Sequence, residues 1–285
     1  MGEAYRGRFA PSPTGPLHFG SLVAALASWL DARAHGGRWL VRMEDLDAPR
    51  CSPQWADHIL RTLDRFGFTW DEPVLYQSRR IEAYREALGA LRRERASYPC
   101  SCSRREAGDG VYPGYCATGP KRASGPYCWR VRVDACPVFF EDRLFGHYEQ
   151  NLAREVGDFP VLRSDGAFAY QLAVVVDDAF QNITDVVRGA DLLDSTPRQI
   201  HLQRLLRLPP VRYLHIPVAA NAAGEKLSKQ TNAPPLGEPL EELSAALRFL
   251  NQPACEEPAE SARELLACAA ARWDPSRLAA IFSQR

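Results

Sequence analysis

Three short stretches hold the residues best suited to chemistry. "PSPTGPLHFGSL", residues 11–22, crowds three prolines and two glycines around His18, and an apolar run begins directly after it. A stiff loop feeding a helix is a ready anion site, because the first backbone N–H groups of a helix are unpaired and the dipole is positive there. Gly20 and Ser21 open that helix and let a phosphate approach the backbone, while the ring of His18 can donate to a phosphate oxygen. Pro11, Pro13 and Pro16 set the loop geometry in advance. No Gly-Lys-Ser/Thr follows, which excludes a Walker A loop. By itself the stretch also reads as a plain proline-rich turn around a packed histidine.

The second stretch, "KLSKQ", lies at residues 226–230. Arginine supplies nearly all the positive charge, and the only lysines are Lys121, Lys226 and Lys229. Two lysines within one pentapeptide point to a need for a compact, mobile ammonium; an ordinary basic surface loop is the competing reading. The third stretch, "YPCSCSRREAGDGVYPGYC", places Cys100, Cys102 and Cys116 at a spacing that suggests a tetrahedral zinc site wanting a fourth ligand. Glu106, Asp109, Tyr112, Tyr115 and Cys128 stand near enough to supply it, and ligand chemistry alone favours Cys128. The other cysteines, Cys51, Cys128, Cys136, Cys255 and Cys268, are scattered and read as packing residues.

The elements that must position these residues follow from periodicity. "GRFAPS" is a short strand, and "GSLVAALASWLDARAHGG" a helix with Leu22, Leu26 and Leu30 on one face and Gly36-Gly37 as its stop. "RWLVRMED" is a strand, and the next helix has Ser52 as N-cap with Pro53 at its first position. "RRIEAYREALGALRRERAS" places Ile81, Tyr84, Leu88 and Leu91 on one face. This alternation predicts an α/β fold, a Rossmann-like doubly wound parallel sheet. The pattern breaks at Tyr98. Strands are expected in "CWRVRV", "VFFEDRLFGHYE" and "FPVLRSDGAFAY", with Ser164-Asp165-Gly166 as a hairpin turn. "LAVVVDDAF" fits either a helix or a strand; "ITDVVRG" is a strand, and Thr196-Pro197 opens a helix as cap and first position. The tail is helical, with Leu240, Leu243, Leu247 and Leu250 sharing a face. The expected organisation is residues 1–97 as the first half of a catalytic domain, 98–150 as a zinc-binding insert, 151–235 as the second half, and 236–285 as a small helical region.

The chain has 285 residues, 46% of them hydrophobic and 25% charged, a globular composition with enough length for a real core. No run of apolar residues is long enough for a membrane span, and no signal-peptide core precedes the first strand. A cytoplasmic, monomeric protein without membrane contact is therefore expected, with thiols or metal ligands rather than a disulfide set. The formal net charge is zero, so nucleic-acid binding requires a local basic patch. Arg79, Arg80, Arg92, Arg93, Arg95, Arg104, Arg105, Lys121 and Arg122 around the cysteine stretch supply one; helix-surface ion pairs are the alternative, preferred for Arg85 and Arg95.

Taken together, "HFGS" and "KLSKQ" resemble the HIGH and KMSKS signatures of class I aminoacyl-tRNA synthetases. "RFAPSPTGPLHFGSL", "VRMEDLDAPR", "AYQLAVVVDD" and "VVRGADLLDSTPRQIHL" are similar to the glutamate-specific branch, and the resemblance runs from about Gly7 to about Ala233. It implies activation of L-glutamate by ATP with Mg²⁺. His18, Gly20, Ser21, Lys226 and Lys229 would then serve ATP. Arg8, Tyr170 and Arg188 would surround the glutamate carboxylates, Glu44 would take the amino group, and Ser12 belongs to the same loop. Gln230 stands where KMSKS ends in serine, and both lysines are kept. Too few residues follow "KLSKQ" for a domain that reads an anticodon. With "LHFGSL" and "RGADLL", this plan resembles the glutamyl-Q tRNA(Asp) synthetase family, which places glutamate on queuosine in the anticodon loop of tRNA(Asp). In that family a tyrosine four residues before the last cysteine completes a structural zinc site, which here is Tyr112 with Cys100, Cys102 and Cys116. A short glutamyl-tRNA synthetase charging a 3′ end, and an inactive zinc-containing RNA-binding paralogue, are the alternatives.

Overall fold

The computed structural model describes residues 4–108, 110–219 and 235–281. The chain opens with β1 (Arg6–Phe9), α1 (Phe19–Ala34), β2 (Arg38–Met43), α2 (Pro53–Arg65), β3 (Leu75–Tyr76) and α3 (Ile81–Arg93). The middle comprises β4 (Ser97–Cys100), one-turn α4 (Arg104–Ala107), β5 (Cys128–Val131), β6 (Val138–Asp142), β7 (Gly146–Gln150), one-turn α5 (Leu152–Glu155) and β8 (Phe159–Leu162). Next come α6 (Tyr170–Phe180), β9 (Asp185–Gly189), a 3-10 turn over Ala190–Ser195, α7 (Thr196–Leu206) and β10 (Arg212–Ile216). Beyond residue 234 lie α8 (Pro239–Phe249), α9 (Ala262–Ala271) and a 3-10 turn over Pro275–Ile281.

The parallel arrangement follows from buried, nearly continuous apolar strands such as Leu40–Val41 and Val186–Val187. β1, β2 and β3 pair in parallel, and so do β9 and β10. Arg6 and Thr184 join the two sets: Arg6 N–H donates to Thr184 Oγ1 at 2.9 Å, and Thr184 N–H donates to the Arg6 carbonyl at 3.0 Å. The strand order therefore reverses between β1 and β9, and in open α/β sheets the carboxyl ends at such a switch point form a crevice.

Two boundaries differ from the sequence expectation. β6 pairs in parallel with β10 and antiparallel with β7, so Val138–Gln150 extends the β9–β10 sheet. β4, β5 and β8 form a separate antiparallel sheet, so β8, beyond residue 150, packs with the cysteine-bearing segment. "LAVVVDDAF" is helical in α6: its valines suit a strand, but burial on several sides rewards the helix, with Leu172, Ala173, Val174 and Val175 all inside. Thr196 and Pro197 sit one position later than expected, because Ser195 precedes the first helical residue. The caps of α1 and α2 agree with the sequence reading: Gly36, with φ +61°, follows α1, and Ser52 Oγ accepts from Gln54 N–H at 3.2 Å with Pro53 at the helix start.

The C-terminal helices cover α1. Leu243, Ala246, Leu250, Leu266 and Leu278 are buried in one core with Leu22, Leu26 and Leu30. Each fully buried leucine contributes about 2 kcal/mol. A disulfide joins Cys255 to Cys268, correcting the reading of both as unpaired packing residues, and Cys136 is exposed rather than packed. The two half-cystines lie 13 residues apart in sequence, and fold rather than composition brings them together. No helix among the described residues is long and apolar enough to cross a membrane.

Asp31 ties the far end of α1 to the rest. It is fully buried and accepts from Tyr5 OH at 2.5 Å, Arg143 Nη2 at 2.9 Å and Trp273 Nε1 at 2.8 Å. Burial raises its carboxyl pKa, but the bonds from Arg143, Tyr5 and Trp273 outweigh that and hold it below the ordinary value. A depressed folded-state pKa contributes stability above the unfolded value and loses it as pH falls through the folded one. Asp31→Asn is expected to cost about 2–3 kcal/mol at neutral pH. The difference from the parent chain should shrink on acidification below about pH 4. Urea unfolding across that range checks both; a constant difference would exclude a titrating Asp31.

Candidate active site

A cleft of about 920 Å³ opens at the carboxyl ends of β1, β2, β9 and β10. Arg8, Ser12, His18, Gly20, Ser21, Glu44, Tyr170 and Arg188 all line it. Eight of the ten residues expected to serve ATP and glutamate are thus gathered from four sequence stretches; Lys226 and Lys229 lie outside the described residues.

The proline loop is held by its carbonyls, since proline has no N–H to give. Glu44 N–H donates to the Pro11 carbonyl and Ser52 N–H to the Pro13 carbonyl, each at 3.0 Å. His18 is the N-cap of α1, with its Nδ1 accepting from Ser21 N–H at 3.3 Å. That bond fixes the ring, and it engages the Ser21 N–H, one of the backbone donors expected to meet phosphate.

Under the cleft lies a charge network that the sequence reading missed. Arg8 and Arg42 are both buried, and Asp178 takes a bond from each, at 3.2 Å from Arg8 Nε and 2.8 Å from Arg42 Nη1. Arg42 Nη1 also donates to Gln181 Oε1 at 2.9 Å, and Nη2 to Glu44 Oε1 at 3.4 Å. Burial pushes the Asp178 carboxyl up, but the two guanidinium groups pull it below its usual value. Glu44 behaves oppositely: burial dominates its single long contact and the nearby arginines, and its pKa is raised. Period-two alternation and the acidic pair in "VVVDDAF" are the only sequence signals for this network, and neither distinguishes it from a solvated helix face.

Arg188 is braced separately. Its Nε donates to His215 Nε2 at 3.1 Å, Nη2 to Thr196 Oγ1 at 2.8 Å and Nη1 to Tyr170 OH at 3.4 Å. An accepting Nε2 puts the imidazole proton on Nδ1, which lies 2.7 Å from Asp142 Oδ2. Burial and the Arg188 charge lower the His215 pKa despite Asp142, so the ring stays neutral and can accept. Burial also raises the Tyr170 pKa, keeping its hydroxyl protonated between Arg188, Glu44 and Arg8.

The cysteine stretch forms a second centre. The Sγ atoms of Cys100, Cys102 and Cys116 all lie within 4.8 Å of one another. Tyr112 OH is 3.2 Å from Cys100 Sγ and 3.5 Å from Cys102 Sγ, and the Cys102–Cys116 sulfur separation is 3.6 Å. Tetrahedral zinc with bonds of about 2.3 Å to sulfur and about 2.0 Å to oxygen has edges of about 3.5–3.8 Å, so the donors fit the ion. Burial raises the Cys116 thiol, but N–H groups of Lys121 and Ser101 and nearby side chains bring it down to about 6, favouring thiolate. Cys128 pairs with Cys100 across β4 and β5 yet stands outside the cluster, and burial pushes its thiol up to about 11. Gly157, with φ +72°, allows the close approach of Tyr112: a Cβ there would meet the Tyr112 carbonyl at 2.5 Å.

The expected basic patch is partly spent inside the protein. Arg80 Nε bonds Asp177 Oδ1 at 2.6 Å, which removes it from the patch, and Arg92 stacks on Trp129 at 4.4 Å. Arg85 pairs with Glu82 on the helix surface, as the ion-pair reading expects.

Residues 4–108 and 117–235 match the family of tRNA synthetases class I (E and Q), catalytic domain. The chain is 57% identical over 286 residues to a glutamyl-Q tRNA(Asp) synthetase of Dechloromonas aromatica, spanning 96% of this chain and 95% of that one. It is 55% identical over 290 residues to the protein of that name in Burkholderia pseudomallei, spanning 95% and 96%. A glutamate tRNA ligase structure from Elizabethkingia meningosepticum shares the fold, with a TM-score of 0.77 at 20% identity, covering 97% of this chain and 66% of that one. The glutamate-tRNA synthetase of Elizabethkingia anophelis superposes with a TM-score of 0.78 at 21% identity, covering 97% and 67%. The chain belongs to the class I tRNA synthetases of the E and Q type and, within them, to the glutamyl-Q tRNA(Asp) synthetase family.

Proposed function

We propose that this chain activates L-glutamate with ATP and transfers the glutamyl group to queuosine in the anticodon loop of tRNA(Asp). The observation that carries the activation step is the convergence of Arg8, Glu44, Tyr170 and Arg188 with the His18 helix mouth in one cleft. Free glutamate has two carboxylates and one ammonium. Guanidinium forks suit the former and a carboxylate the latter. Family membership supports the acceptor.

In this reading Arg8 and Arg188 hold the glutamate carboxylates with Tyr170, and Glu44 holds the ammonium. Both guanidinium planes are braced before substrate arrives, Arg8 by Asp178 and Arg188 by His215 and Thr196. The α-carboxylate then attacks the α-phosphorus of ATP; the new C–O–P bond gives glutamyl-adenylate, and pyrophosphate leaves. Mg²⁺ accompanies ATP and supplies charge neutralisation. Positioning and charge stabilisation dominate such a transfer. The α1 N-terminus with His18, Gly20 and Ser21 orients the nucleotide, and Lys226 and Lys229 neutralise the pyrophosphate side. In the second step the acceptor bonds to the glutamyl carbon and AMP leaves. Zinc held by Cys100, Cys102, Tyr112 and Cys116 is structural, because four protein ligands leave no open position.

Transfer of labelled glutamate to tRNA with and without queuosine tests the reading. Label is expected only on queuosine-containing tRNA(Asp), and prior periodate oxidation of the 3′-terminal diol should leave transfer intact where queuosine is protected. Label on tRNA(Glu) would favour 3′-end charging, and no glutamate-dependent pyrophosphate exchange would favour an inactive paralogue. Glu44→Gln should raise the KM for glutamate by about 100-fold, the loss of a charge-assisted bond of about 3 kcal/mol. Because burial raises the Glu44 pKa, protonation should weaken glutamate binding from a higher pH than an ordinary carboxylate would, and the variant should lack that limb. Metal analysis should find one Zn²⁺ per chain, lost in Cys116→Ser and kept in Cys128→Ser; the reverse would make Cys128 the ligand.

A further inference from the structure

A second cavity, of about 470 Å³, lies between the cysteine centre, the β4–β5–β8 sheet and the start of α7. None of the eight described residues proposed to serve ATP or glutamate lines it. Its wall includes Tyr112, Arg130, Gln150, Asp158, Asp194 and Arg198. The volume suits a ligand the size of a nucleobase.

Its polar atoms are poorly satisfied. Gln150 is 8% exposed, and its Oε1 has no partner among the described residues. The Nε atoms of Arg130 and Arg198 are likewise buried without a partner. Of five such side-chain atoms among the described residues, three belong to this one wall. Buried polar groups are ordinarily paired, so this concentration marks side chains that the protein leaves unsatisfied and that gain partners by turning toward a ligand in the cavity. Asp194 adds an acceptor, fixed by Tyr148 OH at 2.5 Å. The Arg130 guanidinium lies 3.8 Å above the Tyr112 ring and is held by the Asp158 carbonyl at 2.7 Å. RNA-binding proteins stack unpaired bases on such planes and read the base edges with amide and charged groups.

The slot adjoins the cleft. Asp191 and Leu192 line the cleft, and Asp194, on the same 3-10 turn, lines the slot. Residues three apart in a 3-10 turn eclipse at a rise of about 6 Å, so the two sites are neighbours along one face. Arg198 also donates to Ser195 Oγ at 3.2 Å, which accepts in turn from Gln171, the residue after Tyr170.

We infer that this slot receives an unstacked base of the substrate RNA, next to the nucleotide that enters the cleft, stacked against Arg130 and read along its edge by Gln150, Arg198 and Asp194. The inference rests on the RNA acceptor proposed above. It also gives the metal centre a task, since Tyr112 belongs to both walls and its position sets the width of the slot.

Gln150→Leu tests this without touching ATP or glutamate. Its Kd for queuosine-containing tRNA(Asp) is expected to rise at least tenfold, with glutamate-dependent pyrophosphate exchange, zinc content and thermal unfolding unchanged. Arg198→Gln is the second variant and should show the same split. An RNA with an abasic residue flanking queuosine should bind the parent chain about as weakly as the intact RNA binds Gln150→Leu, and the two changes together should cost no more than one, because they remove the same contact. Unchanged RNA affinity in the variants, or fully additive penalties, would overturn the slot. Absent exchange in the parent chain would instead overturn the activation reading, and the RNA affinities would still judge the slot.

Discussion

Arg8 and Arg42 enter the interior from adjacent parallel strands, and two buried positive charges there require an anion between them. Asp178 on α6 supplies it. Removing one partner from such a group leaves an uncompensated buried charge, at a cost of about 3–5 kcal/mol. The rest of the cleft follows from this junction. It fixes α6 against the carboxyl ends of β1 and β2, so Tyr170 at the start of α6 faces the same space as Glu44. It also leaves Arg8 oriented through Nε, with a rigid plane at the cleft wall. Arg188 on the far side obeys the same logic with a neutral intermediary: Asp142 orients His215, and His215 accepts from Arg188 without adding a second positive charge.

The helix that presents His18 is controlled from its opposite end. α1 is buried along most of its length, by the sheets on one side and by α8 and α9 on the other. Asp31 gathers Tyr5, Arg143 and Trp273 around its last turns. The C-terminal helices therefore complete the core that holds the His18 end of α1 in place, and the Cys255–Cys268 bridge fastens α9 to the segment before it. On the other flank lies the cysteine centre. Its loop has only a small core, built from Tyr98, Cys100, Tyr112 and Cys116 themselves.

Much of this was legible in residue order. Local rules place helix starts and stops, and Ser52-Pro53 and Gly36 obey them because capping depends on a few neighbouring residues. The cleft residues were legible as a set through four stretches that resemble family motifs, and the fold gathers those stretches at the carboxyl ends of the strands. The clustering of three sulfurs was legible from spacing alone. Ligand chemistry favoured Cys128 and the family resemblance Tyr112; the fold brings the Tyr112 hydroxyl beside the sulfurs, where Gly157 admits its backbone, and leaves Cys128 across the strand pair.

What the tertiary structure alone decided has one physical origin, the burial of polar groups by distant segments. Arg42, Asp178, Gln181, Asp142 and His215 look like surface residues in a string, and only their convergence makes them supports. The valine run in α6 is a strand by propensity and a helix by context. Val138–Gln150 reads as part of an insert and pairs with β10, and two cysteines that read as isolated form a bridge. The sequence by itself determined most of the elements, since caps and periodicity are local properties, and its motifs carried the family resemblance. Which charges face one another, and which side chains share a cavity wall, are properties of contacts between segments more than a hundred residues apart in several cases, as Arg8 and Asp178 are.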